Sequence, residues 1–288
     1  MVRTSVVIPT HNGAPTLGAQ LDALAEQAAD VDFEIIVVDN NSTDATPAVV
    51  AAHADRVPGL RLEPAHAGAG VSYARNSGTH AARGEFILYC DCDDVVRPGW
   101  VRAMTEALED ADLVGGVLDV TQINPPSVLK LSGGPPADSL PVAMRYLPYA
   151  VGANLGVRRS LWEELGGFDE SYVGGHEEVD FAWRAQEAGR RIAFVPEAVI
   201  DYRLRGSVRS VLRQRFYYGR SYAQLYSRFQ DAPIPRASAR HEVRTVAMLV
   251  AQGPRRVVQG SGHRWLSSLA WTAGRWRGGR VYGVRAPL

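Results

Sequence analysis

The chain has 288 residues, of which 46% are hydrophobic and 22% charged, and its formal net charge is zero. This length can bury one large core with a smaller appendage, and the composition is that of a globular protein rather than a disordered or fibrous one. No apolar run approaches the roughly 20 residues that a membrane-spanning helix needs, and the start lacks a signal-peptide layout, so we expect a cytoplasmic protein. The only cysteines, Cys90 and Cys92, are too few for a zinc site and too close along a strand to pair, so we expect reduced thiols.

The first part of the chain alternates between strand and helix patterns. Residues 4–9 form a short β-rich run that ends at Pro9, and leucines then recur at helical spacing, at Leu17, Leu21 and Leu24. Residues 33–38 are almost continuously apolar and β-branched, which is typical of a parallel strand buried on both faces. This alternation predicts a doubly wound α/β sheet, completed by a helix to about residue 54, an edge strand over 60–63 and a helix over 72–82.

Carboxylates follow two of these strands. Asp39 ends the second strand, and Asp91-Cys92-Asp93-Asp94 follows the apolar run of residues 85–90. Alternation along an extended chain would place Asp91 and Asp93 on one side, where their oxygens suit Mg²⁺ or Mn²⁺. Ligands of open α/β sheets bind at the carboxyl ends of the strands, so we expect Asp39 to contact a base or ribose and the acidic cluster to hold phosphates through the metal. Each of these roles has a structural alternative. The acidic cluster would then simply cap backbone amides in a loop, and Asp39 would serve as an N-cap or in an Asx-turn.

Six segments of the chain form one ordered series. They are Val6-Val7-Ile8-Pro9-Thr10-His11-Asn12, Val37-Val38-Asp39-Asn40-Asn41-Ser42-Thr43-Asp44, Ala74-Arg75-Asn76-Ser77-Gly78, Asp91-Cys92-Asp93-Asp94, Gly166-Gly167-Phe168-Asp169-Glu170 and Glu177-Glu178-Val179-Asp180-Phe181. In order and spacing these segments resemble successive motifs of family 2 glycosyltransferases with the GT-A fold, over about residues 4–205. The resemblance implies a GT-A-type, Rossmann-like sheet of mixed strand direction and inverting transfer of a sugar from a UDP, TDP or GDP donor. It also implies a divalent metal and a hydroxyl acceptor on a glycolipid, polysaccharide or other glycoconjugate.

The resemblance also implies roles for single residues. It places Arg75 near the diphosphate, where a guanidinium suits phosphate oxygens, and the metal on Asp91 and Asp93. For Arg75 the alternative is an ordinary surface arginine of a helix, and for His11 an exposed loop position. The expected donor-binding residues are Pro9, Thr10, His11, Asp39, Asn41, Arg75, Asp91 and Cys92.

The base that takes the proton of the acceptor hydroxyl is expected in the run Glu177-Glu178-Val179-Asp180. The usual family pattern is Glu-Asp-x-Asp with the second acid as base, a position held here by Glu178, whose side chain is one methylene longer. Glu177 therefore stays a candidate. Mutual repulsion among three carboxylates should raise at least one pKa. An acidic helix start that complements the helix dipole, with Asp180 paired to Arg184, is the alternative, and both can hold together.

Two later regions carry weaker signals. Residues 121–148 form a long segment rich in proline and glycine, and we expect acceptor recognition there and around Asn154. From Arg203 to the C-terminus, 17 arginines face only two acids, Asp231 and Glu242, a net charge of +15. We expect a catalytic domain over 1–205, with a nucleotide-sugar half to about 95 and an acceptor half over 96–205, followed by a basic helical region over 206–288.

Tryptophans lie among the arginines near the end of the chain, at Trp265, Trp271 and Trp276. This mixture favours a membrane interface, so we expect the tail to dock on the inner leaflet near a lipid-linked acceptor. The alternative is a habit of composition, because the chain has 30 arginines and a single lysine, Lys130.

Other function classes fit less well. A nucleotidyltransferase or a dinucleotide-dependent oxidoreductase would need a glycine-rich phosphate loop after the first strand, and Asn12-Gly13-Ala14 is a poor substitute. The main alternative is a protein without transferase activity that binds nucleic acid or membrane through its basic C-terminal region. No nucleic-acid recognition module is evident, so no nucleic-acid partner is expected. The sequence does not identify the sugar or the acceptor, and it does not distinguish a monomer from a homodimer.

Overall fold

A computed structural model describes residues 2–27, 31–57, 59–131, 134, 136–235, 238–258 and 262–287. The strands are β1 (Thr4–Thr10), β2 (Phe33–Asp39), β3 (Leu60–Pro64), β4 (Phe86–Cys90), β5 (Val95–Val96), β6 (Leu113–Asp119), β7 (Asn154–Arg158) and β8 (Ile192–Asp201). The helices are α1 (Leu17–Ala25), α2 (Thr46–His53), α3 (Val71–Ala81), α4 (Trp100–Asp110), α5 (Pro126–Leu129), α6 (Arg159–Leu165), α7 (Glu177–Glu187), α8 (Val208–Arg228), α9 (Ala239–Val258) and α10 (Gly262–Tyr282).

The strands form one sheet in the order β3-β2-β1-β4-β7-β6-β8-β5. Its first four strands are parallel, β7 runs antiparallel to both β4 and β6, and β8 is parallel to β6. The predicted doubly wound α/β sheet of mixed direction is therefore confirmed, and so is the edge strand over residues 60–63.

Apolar side chains cover both faces of the sheet. Val6 and Ile8 of β1 join one core with the leucines of α1, and Val7 joins a second core on the opposite face, where α6 and α7 pack. Every residue of β2 is buried, as its nearly continuous β-branched run predicts. This two-sided burial fixes the parallel strands rigidly, so that their carboxyl ends can hold a site.

The basic C-terminal region forms helices that pack on the sheet domain and on each other. Leu225 and Phe229 at the end of α8 lie in one apolar cluster with Val179 and Trp183 of α7. Helices α8 and α10 approach closely through glycines, because a Cβ at Gly274 would meet the backbone of Phe216. The boundary between 205 and 206 stays a prediction. Within the described residues no helix is long and apolar enough to span a membrane.

The three tail tryptophans differ in their surroundings. Trp265 donates its indole N–H to the carbonyl of Leu249 at 2.8 Å, and Trp271 packs edge-on against Tyr222. Trp276 is 44% exposed. Only one of the three indoles therefore presents a large exposed surface, which weakens the argument from tryptophans for membrane docking.

We predict that Gly274→Val destabilises the protein by about 2 kcal/mol or more. The added side chain meets backbone of α8, which cannot move aside as a flexible side chain would, and overpacking typically costs about 1–3 kcal/mol. Equilibrium urea unfolding measures the change. Gly206→Val is the matched control, since nothing lies within 4 Å of a Cβ at Gly206. An unchanged midpoint for Gly274→Val would show that α10 does not pack on α8 in this way.

Candidate functional site

Two neighbouring pockets lie at the carboxyl ends of the parallel strands. The larger, about 480 Å³, lies between the end of β4, the start of α7 and the side of α8, and the smaller, about 320 Å³, lies between the loops after β1 and β2. Both include Val71 of α3 in their walls. A ligand with two chemically different halves can therefore occupy them side by side.

The structure brings most of the predicted site residues to these two pockets. The smaller pocket is lined by Pro9, Thr10, His11 and Asn41. The larger pocket is lined by Arg75, Asp91, Glu177 and Glu178. Asp39, Cys92 and Asp93 are not among the residues that line either pocket.

The acidic cluster lies in a turn and not at the end of a strand. Strand β4 ends at Cys90, and residues 91–94 turn so that the Asp94 amide lies 3.4 Å from the Asp91 carbonyl oxygen. The expectation of strand alternation was therefore wrong in its geometry. The turn nevertheless brings carboxylate oxygens of Asp91, Asp93 and Asp94 within 4.8 Å of one another.

This turn fits a divalent cation. Burial and the charge of Asp91 raise the pKa of Asp93, and burial with the charges of Asp91 and Asp93 raises the pKa of Asp94 well above its usual value. One oxygen of Asp94, Oδ2, is buried and has no hydrogen-bond partner among the residues that the structure describes. Three mutually repelling hard oxygen donors, one of them unpaired, suit Mg²⁺ or Mn²⁺. Sequence analysis did not assign Asp94 to the metal, although it stands in the same acidic run.

Backbone and side chain of the segment after β8 also contact the turn. The backbone amide of Arg203 donates to Asp94 Oδ1 at 2.7 Å, and the side-chain Nε of Arg203 donates to the Asp93 carbonyl oxygen at 2.8 Å. Arg205 lies 3.5 Å from Asp93 Oδ2 and lines the larger pocket. Arg203 and Arg205, at the end of the predicted catalytic domain, are thus part of the site.

Arg75 lies beneath the larger pocket, in two ion pairs. Its Nη1 donates to Glu177 Oε1 at 2.8 Å and its Nη2 to Asp91 Oδ1 at 3.3 Å. The side chain is only 4% exposed, which excludes the alternative of a surface arginine. Burial works to lower the pKa of Arg75, but the charges of Asp91 and Glu177 outweigh it and raise this pKa. Arg75 therefore stays charged and joins the acidic turn to the start of α7.

The two glutamates at the start of α7 differ in chemistry. Glu177 is paired with Arg75 and its side chain is 4% exposed, so its negative charge is compensated. Glu178 forms no ion pair in the described part of the chain, and its Oε2 lacks a hydrogen-bond partner there. Burial and the charge of Glu177 raise the pKa of Glu178 to about 8. Glu178 is thus the residue with the properties of a base that works near neutral pH.

The third acid of the run, Asp180, has a structural role. It lies 2.8 Å from Arg184 Nε, as the alternative of an i,i+4 pair predicted, and 3.0 Å from Arg228 Nε of α8. Asn154 is also structural, because its buried amide donates to two backbone carbonyls and accepts from the Trp100 indole. The Asn154 side chain itself is therefore not available to an acceptor, but Val151, Gly152 and Ala153 just before it line the larger pocket, so acceptor recognition around Asn154 stays a prediction.

Asp39 is held in an Asx-type contact. Its Oδ1 accepts the Ser42 amide at 3.0 Å, and its Oδ2 lies 3.3 Å from His66 Nε2. Burial works to raise the pKa of Asp39, but the hydrogen bonds from Ser42 and His66 outweigh it and lower this pKa. The Asx-turn role of Asp39 and a role in contacting a nucleoside are thus compatible with each other. His66 follows β3 and had no signal in the sequence.

Next to Thr10 and His11, Cys92 keeps its proton. Burial and the charges of Asp93 and Asp91 raise the pKa of the Cys92 thiol to about 12. A protonated thiol is a weak ligand for a hard cation, so the carboxylate oxygens of the turn, and not Cys92, are the candidate metal ligands.

The loop before α7 is pinned to α8. Gly174 and Gly175 have positive φ, and a Cβ on either would meet Tyr217 or Tyr218. His176, also at positive φ, places Nδ1 2.8 Å from Ser221 Oγ, and burial lowers its pKa to about 4. Since the Ser221 hydroxyl donates to the Tyr217 carbonyl, it accepts from a neutral His176. These contacts set the direction in which α7 begins, and hence the position of Glu178.

Comparisons with known proteins agree with this geometry. The sequence model described as "Glycosyl transferase family 2" matches residues 5–166, and that described as "Glycosyl transferase family group 2" matches residues 86–277. The chain is 29% identical over 252 residues to the pre-mycofactocin glycosyltransferase of Mycobacterium tuberculosis, covering 80% of this chain and 49% of that protein. It is 35% identical over 225 residues to the succinoglycan biosynthesis protein ExoO of Rhizobium meliloti, covering 72% and 62%. The chain thus spans about half to three fifths of these relatives.

Solved structures with a similar fold include a mannosyltransferase, PcManGT from Pyrobaculum calidifontis, in complex with GDP-Man and Mn²⁺. Its TM-score is 0.62 at 21% identity, covering 95% of this chain and 87% of that one. Another is S. aureus TarS 1–349 in complex with UDP, with a TM-score of 0.56 at 20% identity, covering 80% and 71%. The predicted GT-A-type fold is confirmed.

Proposed function

Because the chain belongs to glycosyl transferase family 2, we propose that it transfers a sugar from a nucleotide-sugar donor to a hydroxyl acceptor, by an inverting mechanism and with a divalent metal. One observation carries this proposal: a single pocket brings together Asp91 of the acidic turn, Arg75 and the unpaired carboxylate of Glu178. A diphosphate leaving group, its counter-charges and a base are what an inverting sugar transfer requires.

The donor occupies both pockets in this proposal. The loops after β1 and β2 hold the nucleoside, through Pro9, Thr10, His11 and Asn41, with Asp39 and Cys92 supporting these loops from behind. The diphosphate extends toward Asp91 in the larger pocket. The solved structures that hold UDP or GDP-Man with Mn²⁺ on the same fold support a nucleoside diphosphate donor. The choice among UDP, TDP and GDP stays open.

Asp91, Asp93 and Asp94 would hold Mg²⁺ or Mn²⁺. The metal, when bound, supplies positive charge that stabilises the departing diphosphate. Arg75 holds Asp91 at 3.3 Å and so orients this ligand from below. Arg205, more than half exposed and paired with Asp93, lies where it can approach the same phosphates.

Glu178 takes the proton of the acceptor hydroxyl while the acceptor oxygen bonds to the anomeric carbon. The bond from that carbon to the diphosphate oxygen breaks on the opposite side, which inverts the configuration. Glu177 serves as the partner of Arg75, so we assign the base to Glu178 alone. The pinned loop with His176 keeps this carboxylate in place.

The acceptor is proposed to be a lipid-linked or polysaccharide glycan. A relative that acts in succinoglycan biosynthesis supports this class. Residues 121–148, of which 132, 133 and 135 lie outside the described residues, stay the predicted acceptor region. Cytoplasmic location, docking on the inner leaflet and a homodimer also stay predictions.

A thermal-shift screen tests the donor and metal assignments. One of UDP, TDP, GDP and CDP, with Mn²⁺, is expected to raise the Tm of the wild-type chain by several degrees, since a ligand at 100 times its Kd stabilises by about 2.7 kcal/mol. EDTA and the double variant Asp91→Asn, Asp93→Asn should abolish most of this shift.

The control Asp110→Asn, Asp138→Asn makes the same charge change at two exposed positions and should respond as the wild type does. No shift with any nucleotide, from folded wild-type protein, would contradict the nucleotide-sugar proposal. An equal shift in the Asp91, Asp93 variant would contradict the metal site.

A further inference from the structure

A further cleft of about 720 Å³ lies outside the two pockets of the candidate site, on the side of α8 opposite to the 480 Å³ pocket. Arg213, Gln214 and Tyr217 face the larger pocket, whereas Arg215 lines this cleft. Its remaining walls come from the end of α5, from α9 and from α10. We call it the basic cleft.

The basic cleft concentrates positive charge without compensation. Lys130, Arg215 and Arg264 line it, and none of its described lining residues is acidic. None of the three forms an ion pair within the described ranges. Like charges brought together in a partly enclosed groove repel, and an anion with several oxygens relieves this repulsion through charge-assisted hydrogen bonds. The hydroxyl of Ser267 in the same wall adds a neutral donor.

The other walls of the basic cleft are apolar. Leu129, Leu131 and Leu249 line it together with Trp271. Aliphatic side chains suit an alkyl chain better than a nucleobase, for which stacked aromatic platforms are usual. The basic walls and the apolar walls of the cleft together therefore favour a phosphate that carries an apolar chain.

Helix α9, which forms one wall, also exposes apolar side chains to solvent. Val243 is 69% exposed, Met248 42% and Val250 68%. Val243 and Val250, seven residues apart, lie on one face of this basic helix, and exposed apolar side chains on a basic helix are typical of contact with a membrane interface. We propose that the basic cleft binds the phosphate headgroup of an anionic lipid.

This site is distinct from the transfer site and does not depend on the proposed activity. The two share α8 as a wall, so a bound lipid phosphate lies about one helix diameter, roughly 10 Å, from the larger pocket. The lipid would hold the mouth of the larger pocket close to a membrane surface. Docking would then depend on this cleft rather than on Trp276, the exposed tryptophan of the tail.

Isothermal titration calorimetry of the full chain tests the proposal, with monomeric decyl phosphate as the probe. We expect Arg215→Gln, Arg264→Gln to bind it at least tenfold more weakly than the wild type. The matched control Arg209→Gln, Arg277→Gln removes the same charge at exposed positions outside the cleft and should bind within twofold of the wild type. The single variant Lys130→Gln, at an exposed position, should weaken binding even if the double variant proves unstable.

Inorganic phosphate distinguishes a lipid from a free anion. Binding as tight as that of decyl phosphate, with the same loss in the variant, would overturn the lipid assignment. Equal binding of decyl phosphate by wild type, variant and control would overturn the site itself. Flotation should agree, with recovery of the wild type on vesicles of phosphatidic acid and phosphatidylcholine reduced in the variant. Nucleotide-induced thermal shifts should be unchanged in the variant, which separates failure here from failure of the proposed transferase.

Discussion

Replacing Glu178 with glutamine is expected to lower kcat for sugar transfer by about 10³-fold, within the range of 10² to 10⁴ that positioned proton transfer contributes. The amide fills the same space but cannot accept the acceptor's proton. Nucleotide binding should be retained. A coupled assay of nucleoside diphosphate release, with the donor identified in the thermal screen, measures the change.

The pH dependence gives this prediction a second measurement. Because the pKa of Glu178 is raised to about 8, transfer by the wild type should increase with pH up to about that value, as the base loses its proton. Glu178→Gln should lose this ascending limb. The folded state also holds the Glu178 proton more tightly than the unfolded chain, so Glu178 should reduce stability as the pH rises from its ordinary value, about 4.5, to about 8. The stability gain of Glu178→Gln over wild type should grow across the same window.

Two further variants define the base. Glu178→Asp restores the residue usual in the family and should keep part of the activity. Glu163→Gln, at an exposed position of α6, is the control and should match the wild type. Full activity of Glu178→Gln, together with an inactive but folded Glu177→Gln, would move the role of base to Glu177.

Arg75→Gln is expected to destabilise the protein by about 3–5 kcal/mol, which is the usual effect of removing one partner of a buried ion pair. The loss of Arg75 leaves Glu177 and Asp91 without their cation, and the Glu177 carboxylate is almost fully buried. Equilibrium urea unfolding measures this effect. The position of α7, and with it Glu178, should also be lost, so transfer falls with stability.

A double-mutant cycle separates the ion pair from other effects of the substitution. Arg75→Gln, Glu177→Gln should recover part of the lost stability, with a coupling energy of about 0.5–3 kcal/mol. Arg83→Gln, at an exposed position shortly after the same helix, is the control and should change stability by less than about 0.5 kcal/mol. A loss below 1 kcal/mol for Arg75→Gln would contradict the buried pairs.

Much of the fold follows from local pattern. The β-branched run of β2 predicted a strand buried on both faces. In the structure, side chains of β2 lie in the apolar cores on both faces of the sheet. Helix α1 follows its leucine spacing, and β3 is the edge strand that its short run indicated. These elements are predictable because apolar periodicity directly reflects which faces are buried.

The site was predictable in its residues but not in its contacts. Asp91 and Asp93 were predicted to share one side of an extended strand, but they lie in a turn after β4, and their role as metal ligands stays a prediction. Asp94 joins them only because its buried carboxylate faces the same point. His66 and His176 carry no local signal, because their partners lie on elements that are distant along the chain.

The sequence by itself determined the order of strands and helices over about the first 90 residues, the family and most of the charged residues from which the site is built. Each depends on neighbours along the chain or on motif spacing. Only the tertiary structure distinguishes Glu177 from Glu178 and so supports the proposal that Glu178 is the base, because the difference depends on Arg75, about a hundred residues earlier, which pairs with Glu177 and not with Glu178. It also decided where the charge of the basic tail lies, since the packing of α8 between two clefts directs arginines that are neighbours in sequence to opposite sides.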